Sequence, residues 1–85
     1  MKPVTIYTSA MCPYCWRAVK LLKKKHVQYD QIDVGMNAGK RKEMIQRANG
    51  GTSVPQIFIG DLHIGGCDDM VALERAGRLD QLLAG

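Results

Sequence analysis

Apolar residues along this chain follow two rhythms, one of period two and one of helical period. Val4-Thr5-Ile6-Tyr7-Thr8 is short, β-branched and aromatic, which predicts a buried strand. After the connection Ser9-Ala10-Met11, Pro13 suits the first turn of a helix. Cys15, Ala18, Val19 and Leu22 then recur at helical spacing to about Lys25, with Lys20, Lys23 and Lys24 outside. The late lysines complement the negative end of the helix dipole. From Val27 to Val34 apolar and polar residues alternate, as in a half-buried strand, and Gly35-Met36-Asn37 turns the chain. A second helix is predicted from about Ala38 to Ala48, with Met44 and Ile45 inward and Asn49-Gly50-Gly51 ending it. Val54-Pro55-Gln56-Ile57-Phe58-Ile59 and Leu62-His63-Ile64, joined by Gly60-Asp61, predict a hairpin. Gly65-Gly66 breaks it. A third helix then starts near Asp68-Asp69, carries Met70, Val71 and Leu73, and closes at Gly77 before a helical tail from Leu79 to Leu83.

The predicted order, β-α-β-α-β-β-α, is that of an α/β domain. A strand-helix-strand start implies a parallel pair with a right-handed crossover, and the hairpin adds antiparallel strands. With no repeat, linker or low-complexity stretch, residues 1–85 are expected to form a single domain. A chain of this size buries only roughly 60–65% of its unfolded surface, so the core is modest. Net charge +4 would suit nucleic acid, but aromatics are only 6% and do not interleave with the basic residues. A small anionic ligand fits the charge better. No apolar run approaches the roughly 18 residues of a membrane span. Met1-Lys2-Pro3-Val4 lacks the apolar core of a signal peptide, so a reducing cytoplasm is the expected setting. Three cysteines, an odd number, also argue against a disulfide framework.

Cys12-Pro13-Tyr14-Cys15 carries the chemistry. Cys12 falls at the start of the first helix, where unpaired N–H groups and the dipole favour thiolate, the attacking species in disulfide exchange. Cys15, one turn further in, is near enough to bond to Cys12 but shielded. Pro13 stiffens the turn, and Tyr14 sets a flat amphipathic side chain beside the attacker or simply packs on the surface. A metal reading is also open, since Cys12, Cys15, His63 and Cys67 can be written as a zinc quartet. Against it, the pair begins a regular helix inside a strand-helix-strand unit, where such spacing reads as redox, and no metal is expected.

Cys12-Pro13-Tyr14-Cys15, Ser53-Val54-Pro55 and Gly65-Gly66-Cys67-Asp68-Asp69 together resemble a dithiol glutaredoxin, over nearly the whole chain from Val4 to Leu83. The resemblance implies a thioredoxin fold, a four-stranded mixed sheet with helices on both faces, and a cis peptide between Val54 and Pro55. It implies a glutathione-dependent thiol–disulfide oxidoreductase acting on protein disulfides and glutathione mixed disulfides. Cys12 and Cys15 are then catalytic, glutathione is the reducing co-substrate, and no tightly bound cofactor is expected. Glutathione would be held by Tyr14, Ser53, Val54, Pro55, Gly66, Cys67, Asp68 and Asp69. Val54 would offer a strand-like backbone, the third helix N–H donors for the γ-glutamyl carboxylate, and Asp68 a partner for its ammonium. Asp69 shares that task or caps the helix, while Cys67 contributes backbone and packing. The expected partners are glutathione and disulfide-bearing or glutathionylated proteins, with no nucleic acid, no membrane and a monomeric state.

The chain also departs from the family pattern. Many glutaredoxins carry lysine where Ser9 stands and arginine just before the Thr-Val-Pro motif, where this chain has Gly51-Thr52 and then Ser53. Arg41, Lys42 and Arg47 are the candidates to replace those cations. Weaker glutathione affinity than in relatives with both is expected. Trp16 follows the motif directly and reads either as a docking residue or as a partly buried helix residue. The rival functions are a thioredoxin-like electron carrier, against which Pro13-Tyr14 counts, and an iron–sulfur carrier, against which Pro13 counts.

Overall fold

The computed structural model describes residues 2–85, so Met1 of the leader reading lies outside the described residues. Eight elements follow one another: β1 (Val4–Thr8), α1 (Pro13–Lys24), β2 (Tyr29–Asp33), α2 (Ala38–Arg47), β3 (Gln56–Ile59), β4 (Leu62–Gly65), α3 (Cys67–Arg75) and α4 (Leu79–Ala84). The strands form one mixed sheet in the order β2-β1-β3-β4. β1 runs parallel to β2 and antiparallel to β3, and β4 is antiparallel to β3. This is the expected four-stranded sheet of a thioredoxin fold.

Period-two alternation sends side chains to opposite faces of the sheet and so creates two cores. Val4, Ile6, Ile57 and Ile59 meet Ala18 and Leu22 of α1, Met70 of α3, and Leu79 and Leu83 of α4. On the other face Tyr7 and Phe58 meet Val34, with Met44 and Ala48 from the α2 region. Lys25, at the end of α1, bridges Glu74 at 2.7 Å and Asp80 at 2.9 Å, tying three helices together.

Two strands begin later than the alternation predicts. β2 starts at Tyr29 because His26 takes a left-handed turn (φ 57°), leaving Val27 buried but unpaired with β1. β3 starts at Gln56 because Pro55 has no N–H for a ladder; the Val54–Pro55 peptide before it is cis, as expected. The C-terminal end of β1, the start of α1 and the segment before β3 converge. The cysteine pair lies there.

Candidate active site

Pro13 occupies the first turn of α1 and Cys12 is its N-cap, with extended backbone (φ −115°, ψ 100°). A cap residue turns its side chain back over the free N–H groups of the first turn. Accordingly the Cys15 N–H donates to Cys12 Sγ at 3.2 Å. The same sulfur lies 4.0 Å from the Val54 carbonyl oxygen, so it sits between α1 and the cis-proline segment. Met11, just before it, adopts a left-handed conformation (φ 61°) that lifts the cap away from β1.

The two sulfurs differ in environment. Cys12 is partly exposed, whereas Cys15 is 1% exposed. Burial pushes the Cys15 thiol up to about 12, and its hydrogen bond with Cys12 and the Cys12 charge add to the rise. Cys67, 3% exposed, begins α3, and burial pushes its thiol up as well. All three cysteines are free.

A groove of about 370 Å³ runs along Val54, whose carbonyl oxygen lies 4.0 Å from Cys12 Sγ. Its walls include Tyr14, Ser53, Val54, Pro55, Gly66, Cys67, Asp68 and Asp69, so the sequence-predicted binding residues share one surface. Gly65, part of the Gly65–Asp69 motif, completes it with Gln56 and His63; the sequence reading assigned Gln56 no role and His63 only a place in the disfavoured zinc quartet. A hollow of about 760 Å³ lies at the other end of β1, between Lys2–Val4 and His26–Asp30, but no cysteine lines it. The chemistry belongs to the smaller groove.

The α3 end of the groove is tightly made. Asp69 Oδ2 accepts the Gly66 N–H at 2.9 Å, the capping arrangement, while Asp68 stays exposed at the groove wall. Gly65 has φ +112°, and a Cβ there would collide with the Asp69 carboxylate, so this turn requires glycine.

The three candidate cations of α2 separate. Arg47 donates to the Tyr7 hydroxyl at 3.0 Å and lies 4.2 Å from the centroid of the Phe58 ring. Arg41 Nη2 donates to the Thr52 carbonyl at 2.9 Å, next to Ser53, and Lys42 is exposed. Among them Arg41 alone touches the segment that leads into the groove. Trp16 is 60% exposed, and with Met11 and Tyr14 it surrounds the cysteine pair with open apolar surface. His63 Nε2 lies 2.7 Å from Gln56 Oε1. Among the described residues no three His, Cys, Asp or Glu side chains converge as metal ligands.

Known proteins agree with this geometry. The family model for glutaredoxin matches residues 4–64. Glutaredoxin 3 of Escherichia coli K12 is 54% identical over 83 residues, 98% of this chain and 99% of that protein. The solution structure of a glutaredoxin from Brucella melitensis superposes with a TM-score of 0.84 at 49% identity, covering 98% of this chain and 89% of that one. A buckwheat glutaredoxin–glutathione complex superposes with a TM-score of 0.85 at 31% identity, covering 98% and 77%. With a dithiol at a helix start, a cis-proline segment facing it and these relatives across nearly its whole length, the chain belongs to the glutaredoxin family.

Proposed function

We propose that this protein is a glutathione-dependent thiol–disulfide oxidoreductase in which Cys12 attacks and Cys15 resolves. One observation carries the reading: the partly exposed Cys12 sulfur takes an N–H from its own helix while Cys15 is buried beside it. Such asymmetry suits an attacker that substrates reach and a resolver that they do not.

In the dithiol route the Cys12 thiolate attacks one sulfur of a substrate disulfide. A Cys12–substrate disulfide forms, the substrate bond breaks, and the other substrate sulfur leaves as a thiol after taking a proton. Cys15 gives up its proton and attacks Cys12 Sγ, so that substrate departs reduced and Cys12–Cys15 is oxidised. Two glutathione thiols return the pair to the dithiol through a Cys12–glutathione disulfide, leaving glutathione disulfide as the oxidised product. In the monothiol route Cys12 takes glutathione from a glutathionylated protein, and a second glutathione releases it.

The groove supports glutathione as the partner. The Val54 backbone lies beside Cys12 and offers strand-like pairing to the cysteinyl unit. The α3 N-terminus suits the γ-glutamyl carboxylate, and the exposed Asp68 suits its ammonium. Asp69, already spent on Gly66, serves by holding that turn. The relative solved as a glutathione complex agrees with this assignment. In this reading residues 1–85 act as one monomeric domain in the cytoplasm. No helix among the described residues is long and apolar enough to cross a membrane.

A coupled glutathione assay on a glutathionylated small substrate, run beside a thioredoxin-reductase assay, tests the class. Strong turnover only in the first is expected. Turnover only in the second would replace the reading with a thioredoxin-like carrier.

A further inference from the structure

A chain of polar contacts that the dithiol does not use lies behind the groove. Gln56 opens β3 and is 6% exposed, so its amide must find partners inside the protein. Its Nε2 donates to the Ser53 carbonyl at 3.0 Å and reaches Ser53 Oγ at 3.3 Å. With that nitrogen committed, Oε1 is left as the acceptor for His63 Nε2 at 2.7 Å. In this arrangement His63 Nε2 is the donor and Gln56 Oε1 the acceptor. A reversed Gln56 amide would set oxygen against the Ser53 carbonyl and NH₂ against an N–H donor. The Ser53 carbonyl thus sets which way Gln56 points, and His63 completes the bonding of the amide as donor to Oε1.

Two further observations concern the same group. The His63 ring stacks on Phe58 (centroids 4.8 Å apart, planes 24°), and Arg47 covers Phe58 in turn at 4.2 Å, so the donor is held by packing. A Cβ at residue 51 would come within 3.0 Å of Gln56 Nε2 and 3.2 Å of the Ala48 Cβ. Glycine at position 51 leaves the room that the amide needs to reach Ser53.

We propose that His63 is a positioning residue for glutathione: by donating to Gln56 it holds Ser53–Val54 in the conformation that receives the tripeptide, and so sets its affinity. The inference rests on the function proposed above.

Two variants separate the proton from the ring. His63→Phe keeps an aromatic on Phe58 and loses the donor; His63→Gln keeps a donor and loses the ring. Readouts are the amide resonances of Ser53, Val54 and the Gln56 side chain, and the KM and kcat for glutathione. Thermal melts confirm that both variants fold. A neutral hydrogen bond corresponds to roughly 3- to 10-fold in an equilibrium, so His63→Phe should shift those resonances and raise KM by about that much. Its kcat should stay within about twofold of the parent, because the loss falls on binding. His63→Gln should restore both readouts most of the way. Parental resonances and KM in His63→Phe would overturn the proposal, as would a failure of His63→Gln to restore either. If the parent turns over no glutathione mixed disulfide, the proposed function falls, while the resonances still decide whether His63 holds the segment.

Discussion

Cys12 and Cys15 stand one helical turn apart and face opposite conditions. Cys15 is raised to about 12, first by burial and then by its bond to Cys12 and the charge there. Once Cys12 is joined to a substrate it carries no charge, so those two contributions lapse and only the remainder of the rise persists. Resolution still needs the minority thiolate of Cys15, whose fraction grows tenfold per pH unit below its pKa. Glutathione release from a preformed Cys12–glutathione disulfide of the parent should therefore speed up by close to that factor between pH 6 and 7, on the order of tenfold. A flat profile would mean that Cys15 is not the group being deprotonated. Ser9, which lines the small hollow beside Cys15, gives a second residue-scale prediction. Ser9→Lys should lower the KM for glutathione by adding a positive charge near the dithiol; an unchanged or higher KM counts against the missing-cation account. Gly51→Arg is not its equivalent, since a side chain there presses on the Gln56 amide. That variant should raise KM even though it restores a cation.

At the scale of elements, α2 is fastened to the sheet by a buried hydroxyl. Tyr7, 0% exposed on β1, donates to Glu43 Oε2 at 2.6 Å and accepts from Arg47 at 3.0 Å. Tyr7→Phe should cost about 1.5–3 kcal/mol in urea unfolding, the range for hydrogen bonds with charged partners. The Tyr7 hydroxyl, foremost, holds the Glu43 carboxyl below its usual range. A carboxylate lowered on folding stabilises the fold above its unfolded pKa, about 4.3, and loses that contribution as pH falls through the lowered value. Parent and Glu43→Gln should thus differ in urea midpoint at pH 7, and the gap should narrow as pH falls below the ordinary carboxylate range; a gap that does not narrow in acid would assign the effect to packing. None of this network was legible in the sequence. Glu43 and Arg47 lie 36 and 40 residues from Tyr7, and the packing of α2 on the Tyr7–Phe58 face of the sheet brings them together. β1 was legible from its short β-branched and aromatic run, and α1 from the helical spacing of Cys15, Ala18 and Leu22. The late start of β3 follows from Pro55, whose missing N–H ends the ladder there, and the cis peptide before it was implied by the family resemblance.

The whole molecule is a sheet with a core on each face, and the site sits where both cores end. Its outline was read from three motifs because each is a short contiguous run whose residues meet at the groove or the dithiol. The pairing of Gln56 with His63 was not legible because it is a contact across the β3–β4 hairpin. A register shift between Ile57 and Phe58 sets that contact, and no local pattern encodes it. Since β1 and β3 contribute to both cores, the layers should unfold together: far-ultraviolet and Trp16 fluorescence transitions in urea should coincide. Separated midpoints would contradict a single domain.

The division of labour between the two sulfurs is tested most directly by intact-protein mass spectrometry after brief exposure to glutathione disulfide. Cys15→Ser should gain one glutathione, mapped to Cys12, and still release it to added glutathione. Cys12→Ser should gain none, and the parent should pass to the internal disulfide. Glutathione captured on Cys15 in Cys12→Ser, or none captured in Cys15→Ser, would contradict the account.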